Sequence, residues 1–126
     1  MRPGLILATI TALIGSAALA QPTGGQPAGD PAAGENLFYD RCAICHVATG
    51  GGQGPSLDGL YERKAGSVAG FSYSEALKAS DLTWTGPALD RFLTNPGAAV
   101  PGTAMPIQVP DAKQRADLIS YFATHR

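Results

Sequence analysis

Apolar positions along the chain fall into short stretches with helical spacing, separated by glycine- and proline-rich segments. Asp30-Pro31 reads as an N-cap followed by proline at the first helical position. It predicts a helix to about Cys42, with Phe38 and Cys42 on one face. Gly34 inside that helix costs about 1 kcal/mol relative to alanine, a cost that a close helix crossing would explain. Ser72 to Glu75 has the form of a capping box and predicts a short helix through about Ser80. A third helix is predicted over Gly86 to Thr94, apolar at Leu89, Phe92 and Leu93, stopping before Asn95-Pro96. The last starts with Asp111-x-x-Gln114 and carries Leu118, Ile119 and Phe122 on one face. No alternating strand pair stands out, and no internal repeat. The pattern predicts a small all-α domain of about four short helices over residues 31–126. Its long loops, among them the one around Gly50 to Pro55, would be hard to hold in so small a domain unless they wrap something.

The first residues follow a different grammar. Arg2 is a minimal positive region, Leu5 to Ile14 an apolar run broken by Thr9 and Thr11, and Ala18-Leu19-Ala20 a small-x-small cleavage site. This is the form of a secretory signal peptide over residues 1–20, cleaved after Ala20. The alternative is a retained membrane anchor. Residues 21–30, rich in Gly, Pro and Gln, read as a flexible linker. With Arg2 gone, Lys+Arg falls from 9 to 8 against 10 Asp+Glu, a net charge near −2. Nucleic acid, which wants a basic face, is therefore not an expected partner.

The chain has 2 cysteines, Cys42 and Cys45. In an exported protein a disulfide is the bland reading. A thiol redox motif would need a strand-then-helix setting, and a zinc site would need two more ligands where only His46 and His125 are on offer. The residue after the pair decides between these. Cys42-Ala43-Ile44-Cys45-His46 is C-x-x-C-H, the haem-attachment signature. The two sulfurs add to the haem vinyl groups as thioethers, and the adjacent histidine offers its Nε2 to the iron, leaving Nδ1–H for an acceptor that fixes the ring. The sixth ligand must come from elsewhere. Met105 is the methionine that remains once Met1 leaves with the signal peptide, and Pro101 and Pro106 flank its loop. Its alternative is ordinary core packing. His125, next to the last residue, reads as solvated.

From about Gly34 to Phe122 the chain resembles the class I cytochrome c family, mitochondrial and bacterial periplasmic forms alike. The resemblance rests on Cys42–His46, Gly54-Pro55-Ser56-Leu57-Asp58-Gly59-Leu60, Arg63-Lys64-Ala65-Gly66, Gly70-Phe71-Ser72-Tyr73-Ser74, Leu82-Thr83-Trp84, Asn95-Pro96 and Pro101-Gly102-Thr103-Ala104-Met105, in family order. It implies the class I fold around one covalent haem c, with His46 and Met105 as iron ligands. It also implies that the Pro55 carbonyl orients His46, that Arg63, Tyr73 and Trp84 bind the haem propionates, and that Thr103 donates to a propionate beside the methionine. Gly34 and Phe38 match the residues that cross the last helix near Leu118 and Tyr121. There are departures. Phe92 replaces a tyrosine that donates to the methionine sulfur, Leu77 replaces an asparagine, the loop from His46 to Pro55 is shorter, and the lysines are reduced to Lys64, Lys78 and Lys113.

The implied function is one-electron transfer between redox enzymes of a respiratory or photosynthetic chain, by a periplasmic monomer that meets the membrane only through its partners unless the N-terminal segment is retained. With both axial positions filled, no site is left for a substrate, so no enzymatic activity is implied. Two alternatives stand beside it. One is a dedicated cytochrome subunit of a periplasmic dehydrogenase or reductase, which the sparse lysines favour. The other is a haem peroxidase or gas sensor, which requires that Met105 not be a ligand.

Overall fold

The computed structural model describes residues 28–47 and 52–125. The expected signal peptide, its cleavage site and most of the expected linker lie outside these residues. Five helices follow in order: α1 (Pro31–Arg41), α2 (Glu75–Lys78), α3 (Gly86–Thr94), α4 (Pro96–Ala99) and α5 (Ala112–Thr124). The fold is the expected all-α one with long connecting loops, but with one helix more than the pattern implied. Asn95-Pro96 ends α3 and also starts α4, because the Asn95 side chain accepts from the Ala98 N–H at 3.1 Å while Pro96 needs no donor at the first helical position. Helix α1 ends at Arg41 with Cys42 as its C-cap, as expected, but one further boundary differs. Ser74, not Ser72, caps α2 through the Leu77 N–H. Among the described residues no helix is long and apolar enough to cross a membrane.

The frame is the crossing of α1 on α5. A Cβ on Gly34 would collide with the Asp117 carbonyl and lie 2.9 Å from the Tyr121 Cβ, so a side chain here would force the helices apart. Around that contact Phe38 packs its ring 5.4 Å from Tyr121 and edge-on to Phe122. Gly29 and Asp30, the last residues of the expected linker, are laid on α5: the Gly29 N–H donates to Ser120 Oγ and the Asp30 N–H to Asp117 Oδ1 at 2.7 Å. The core continues from Leu118, which is 0% exposed, through Leu89, Phe92 and Leu93 of α3 to Leu60, Trp84, Val100 and Val109 in the loops. One short antiparallel bridge, Lys64 to Thr83, ties two of those loops together. Its flanking bonds, Trp84 N–H to the Arg63 carbonyl (2.9 Å) and Glu62 N–H to the Trp84 carbonyl (3.0 Å), set Trp84 beside Arg63. Glu62 takes a positive φ of 64° to make that turn.

Candidate haem site

The site begins where α1 runs out. The Phe38 carbonyl of its last turn accepts from the Cys42 and Ala43 N–H groups, at 2.8 and 2.9 Å, and in the tight turn that follows the N–H groups of Cys45 and His46 both donate to the Cys42 carbonyl, at 3.1 and 2.9 Å. The turn presents both cysteines and the histidine to one cavity. His46 Nδ1 lies 2.8 Å from the Pro55 carbonyl oxygen. A carbonyl can only accept, so Nδ1 carries the hydrogen and the Nε2 lone pair is free for a metal. Gly54 backs the same ring. Its own N–H donates to the Cys45 carbonyl at 2.9 Å, and a Cβ there would strike the imidazole.

Cys42, Cys45, His46, Pro55, Arg63, Tyr73, Trp84 and Met105 line this one cavity. Thr103 is not among the lining residues; its hydroxyl instead accepts from the Met105 N–H at 3.4 Å. The walls are largely apolar, with Leu57, Leu60, Leu89, Leu93 and Leu118 contributing. Phe92 stands edge-on to Trp84, ring centroids 4.9 Å apart. The cations Arg41 and Arg63 line the cavity, and among the described residues no carboxylate does. Arg63 is held by its Nη atoms, which donate to the carbonyls of Asp58 (2.6 Å) and Ser56 (3.0 Å). Its Nε is buried with no protein partner. Tyr73 accepts the Val68 N–H at its hydroxyl, which leaves the phenolic hydrogen to donate elsewhere. A separate cavity, lined by Phe38, Tyr39, Tyr121 and His125 among others, contains neither cysteine nor Met105.

No disulfide joins Cys42 and Cys45. Burial pushes the Cys42 thiol up, against a smaller downward pull from Arg41. A raised thiol is a poor redox nucleophile. Among the described residues no group of three or more His, Cys, Asp or Glu could hold a metal ion. What the cavity does fit is a large, flat, apolar group bearing carboxylates: two sulfurs and an imidazole along one wall, a thioether in a loop, and a buried guanidinium N–H that lacks an acceptor.

The family model for cytochrome c matches residues 31–126. The chain belongs to the cytochrome c family. It is 46% identical over 99 residues to cytochrome c of Chlamydomonas reinhardtii, covering 75% of this chain and 88% of the relative. It is 43% identical over 117 residues to cytochrome c2 of Rhodomicrobium vannielii, covering 90% and 92%. Among solved structures, cytochrome cH from Methylobacterium extorquens superposes with a TM-score of 0.71 at 42% identity, covering 76% of this chain and 99% of the other. As a member of the family the protein carries one covalently bound haem c and is an electron carrier that works with other redox proteins.

The aliphatic lining, notably Leu60 and Leu118, was not legible as site in the sequence. Leu118 reads as the apolar face of the last helix and Leu60 as part of the Gly54 to Leu60 stretch; both belong to the core cluster and to the cavity wall. The one cue was the excess of loop over helix, which demands something to pack against.

Proposed function

We propose that this cytochrome holds its haem through thioethers at Cys42 and Cys45, ligates the iron with His46 and Met105, and carries single electrons between exported redox enzymes. The observation that supports this most directly is the His46 Nδ1 to Pro55 contact, which fixes the tautomer and aims the ring in a cavity that Met105 also lines. Bound there, the haem supplies a one-electron ferric/ferrous couple. The chain's residues do the rest. His46 and Met105 would both hold the iron, which would leave no coordination site for a substrate. A thioether ligand favours the reduced metal and raises the potential. Leu89, Phe92 and Leu93 exclude water from the Met105 side. Arg63, with Tyr73 and Trp84, compensates buried carboxylates. Thr103 orders the loop by bonding the Met105 N–H.

Export to the periplasm is part of the proposal, resting on the residues 1–20 pattern and on likeness to bacterial relatives named cytochrome c2 and cytochrome cH. A second reading, a dedicated partner of one periplasmic dehydrogenase, is favoured by a single observation: all 3 lysines face an acid, Lys64 with Asp81, Lys78 with Glu75 and Lys113 with Asp117. No free lysine field then selects a broad range of acidic partners.

The deciding experiment is an optical spectrum of the purified ferric and ferrous protein with its Met105→Ala variant. The wild type should be low-spin with a weak near-infrared sulfur-to-iron band when ferric. The variant should lose the band, drop in potential and bind carbon monoxide. A wild type that lacks the band or binds carbon monoxide readily would move the reading to a peroxidase or sensor.

A further inference from the structure

Arg115 is buried in the first turns of α5, with 11% of its side chain exposed, where an unpaired guanidinium would be costly. Its partners come from two other parts of the chain. Nε donates to Asp90 Oδ1 of α3 at 2.7 Å, and Nη1 donates to the carbonyls of Val109 (2.9 Å) and Pro110 (2.7 Å). Those carbonyls belong to the end of the loop that carries Met105. Val109 itself is 2% exposed and donates its N–H to the Leu93 carbonyl of α3 at 2.8 Å. Between Met105 and that anchor, Pro106, Ile107 and Gln108 are exposed. On the other side the loop is fixed at Val100, which is 5% exposed and donates to the Pro96 carbonyl.

Met105 thus sits between two anchors, and the second is held by one guanidinium together with the Val109–Leu93 backbone bond. Asp90 stands next to Leu89 in α3, and α3 also provides Phe92 and Leu93 to the cavity wall. The Arg115 fork therefore ties the ligand-bearing loop to the helix that shapes the cavity. A lysine could satisfy Asp90 or a carbonyl, but not all three acceptors in the geometry of a planar fork.

We infer that Arg115, aligned by Asp90, is a positioning residue for Met105: its clamp on Val109 and Pro110 sets how readily the methionine leaves the iron. This rests on Met105 as sixth ligand. Arg115 is not among the residues that line the cavity; it acts through the loop backbone.

The test is imidazole binding to the ferric holoprotein by stopped-flow. At saturating imidazole the limiting rate reports Met105 release, a quantity distinct from electron-transfer activity. Arg115→Lys should raise that rate by roughly tenfold, the scale of one or two lost hydrogen bonds of ordinary net strength. Asp90→Asn, which keeps the two carbonyl bonds, should raise it less, and the double variant should be no faster than Arg115→Lys alone. Lys113→Ala breaks an ion pair on the same helix that does not reach the loop, and should leave the rate at the wild-type value. Should Arg115→Lys fail to yield folded holoprotein, Asp90→Asn decides by itself. Wild-type release rates in both clamp variants, or equal acceleration by Lys113→Ala at matched stability, would overturn the clamp while the sulfur band still shows Met105 bound. Absence of that band in the wild type would sink the ligand assignment instead, and the clamp with it.

Discussion

The imidazole of His46 donates from Nδ1 to the carbonyl of Pro55 at 2.8 Å, across a loop that returns the chain to the cysteine turn. The bond fixes ring orientation and tautomer together, and it polarises the imidazole toward its free nitrogen. Pro55 suits the role because a carbonyl is all it can offer, and because it restricts Gly54 before it to extended backbone.

Gly54→Ala tests how closely that loop must approach the ring. The new Cβ would lie 2.5 Å from His46 Nδ1 and 2.8 Å from Nε2, so either the imidazole or the loop has to move. Overpacking of this kind costs about 1–3 kcal/mol, and here it displaces the proposed iron ligand as well. The expected outcome is a low yield of holoprotein and a lower melting temperature. A variant that matures and melts like the wild type would show that the loop relaxes freely and that the close contact has no role.

The ends of the site were legible in the sequence because they are local. C-x-x-C-H is five consecutive residues, and Met105 was isolated by counting. Helix α5 was legible through its cap, Asp111, and α3 through its apolar spacing and the Asn95-Pro96 stop, while its cap, Thr85, went unread. The errors lie where two readings share one pattern. Ser72 fits a capping box with Glu75, yet the cap is Ser74, two residues on, since Tyr73 between them is engaged with Val68 and Phe71. Asn95-Pro96 stops one helix and starts another with the same two residues. What no local pattern could reveal is Arg115 on Asp90, 25 residues apart, or the Arg63 hold on two backbone carbonyls.

Acid should weaken the attachment of the chain's start to α5. The Lys113 amino group, and after it the Asp30 N–H, hold the Asp117 carboxyl below the ordinary aspartate range. A carboxyl depressed in the folded state stabilises the fold above its unfolded value, about 4, and that contribution is lost as pH falls through the lower folded value. Lys113, raised by the same bond, loses its share only as pH rises through its folded value, above about 10.4. Asp117→Asn should therefore melt a few degrees lower at pH 7, and the gap should close below pH 4. A gap that persists undiminished in acid would assign the loss to packing and not to charge.

Partner association should depend weakly on salt. Ile44 is 83% and Ile107 45% exposed; Ile44 lies between the two cysteines in sequence, and Ile107 with Ala104 and Pro106 lines the cavity. The lysines are already paired with acids of the same chain. Exposed charges are largely screened beyond about 8 Å at physiological ionic strength. Electron-transfer rates with a reconstituted partner should change by less than about tenfold between low and physiological salt, since a strongly steered encounter would fall far more. Ile107→Ser should slow the reaction at every salt concentration. A steep salt slope together with a silent Ile107→Ser would place the contact elsewhere on the surface.

Arg63 separates charge from scaffolding. Its two Nη atoms brace the loop at Ser56 and Asp58, and its Nε is buried without a protein acceptor. Arg63→Ala removes both functions. Two carbonyls lose a donor, one exposed and one part-buried, at about 1 kcal/mol per bond, and the iron loses a nearby positive charge. Ferric iron is one charge more positive than ferrous, so that guanidinium disfavours oxidation, and its removal should lower the potential. Any carboxylate left less paired pulls in the same direction. The shift should amount to tens of millivolts, the scale of a partly screened unit charge. Arg63→Lys keeps the charge but not the fork, so it should lose stability while holding a potential close to that of the wild type. Voltammetry and thermal melts on the pair distinguish the two contributions. If alanine and lysine lower the potential equally, it is the hydrogen-bond geometry at Nε that sets it. If neither moves it, Arg63 is a loop brace alone, and the carboxylates of the bound group find their partners in Tyr73 and Trp84.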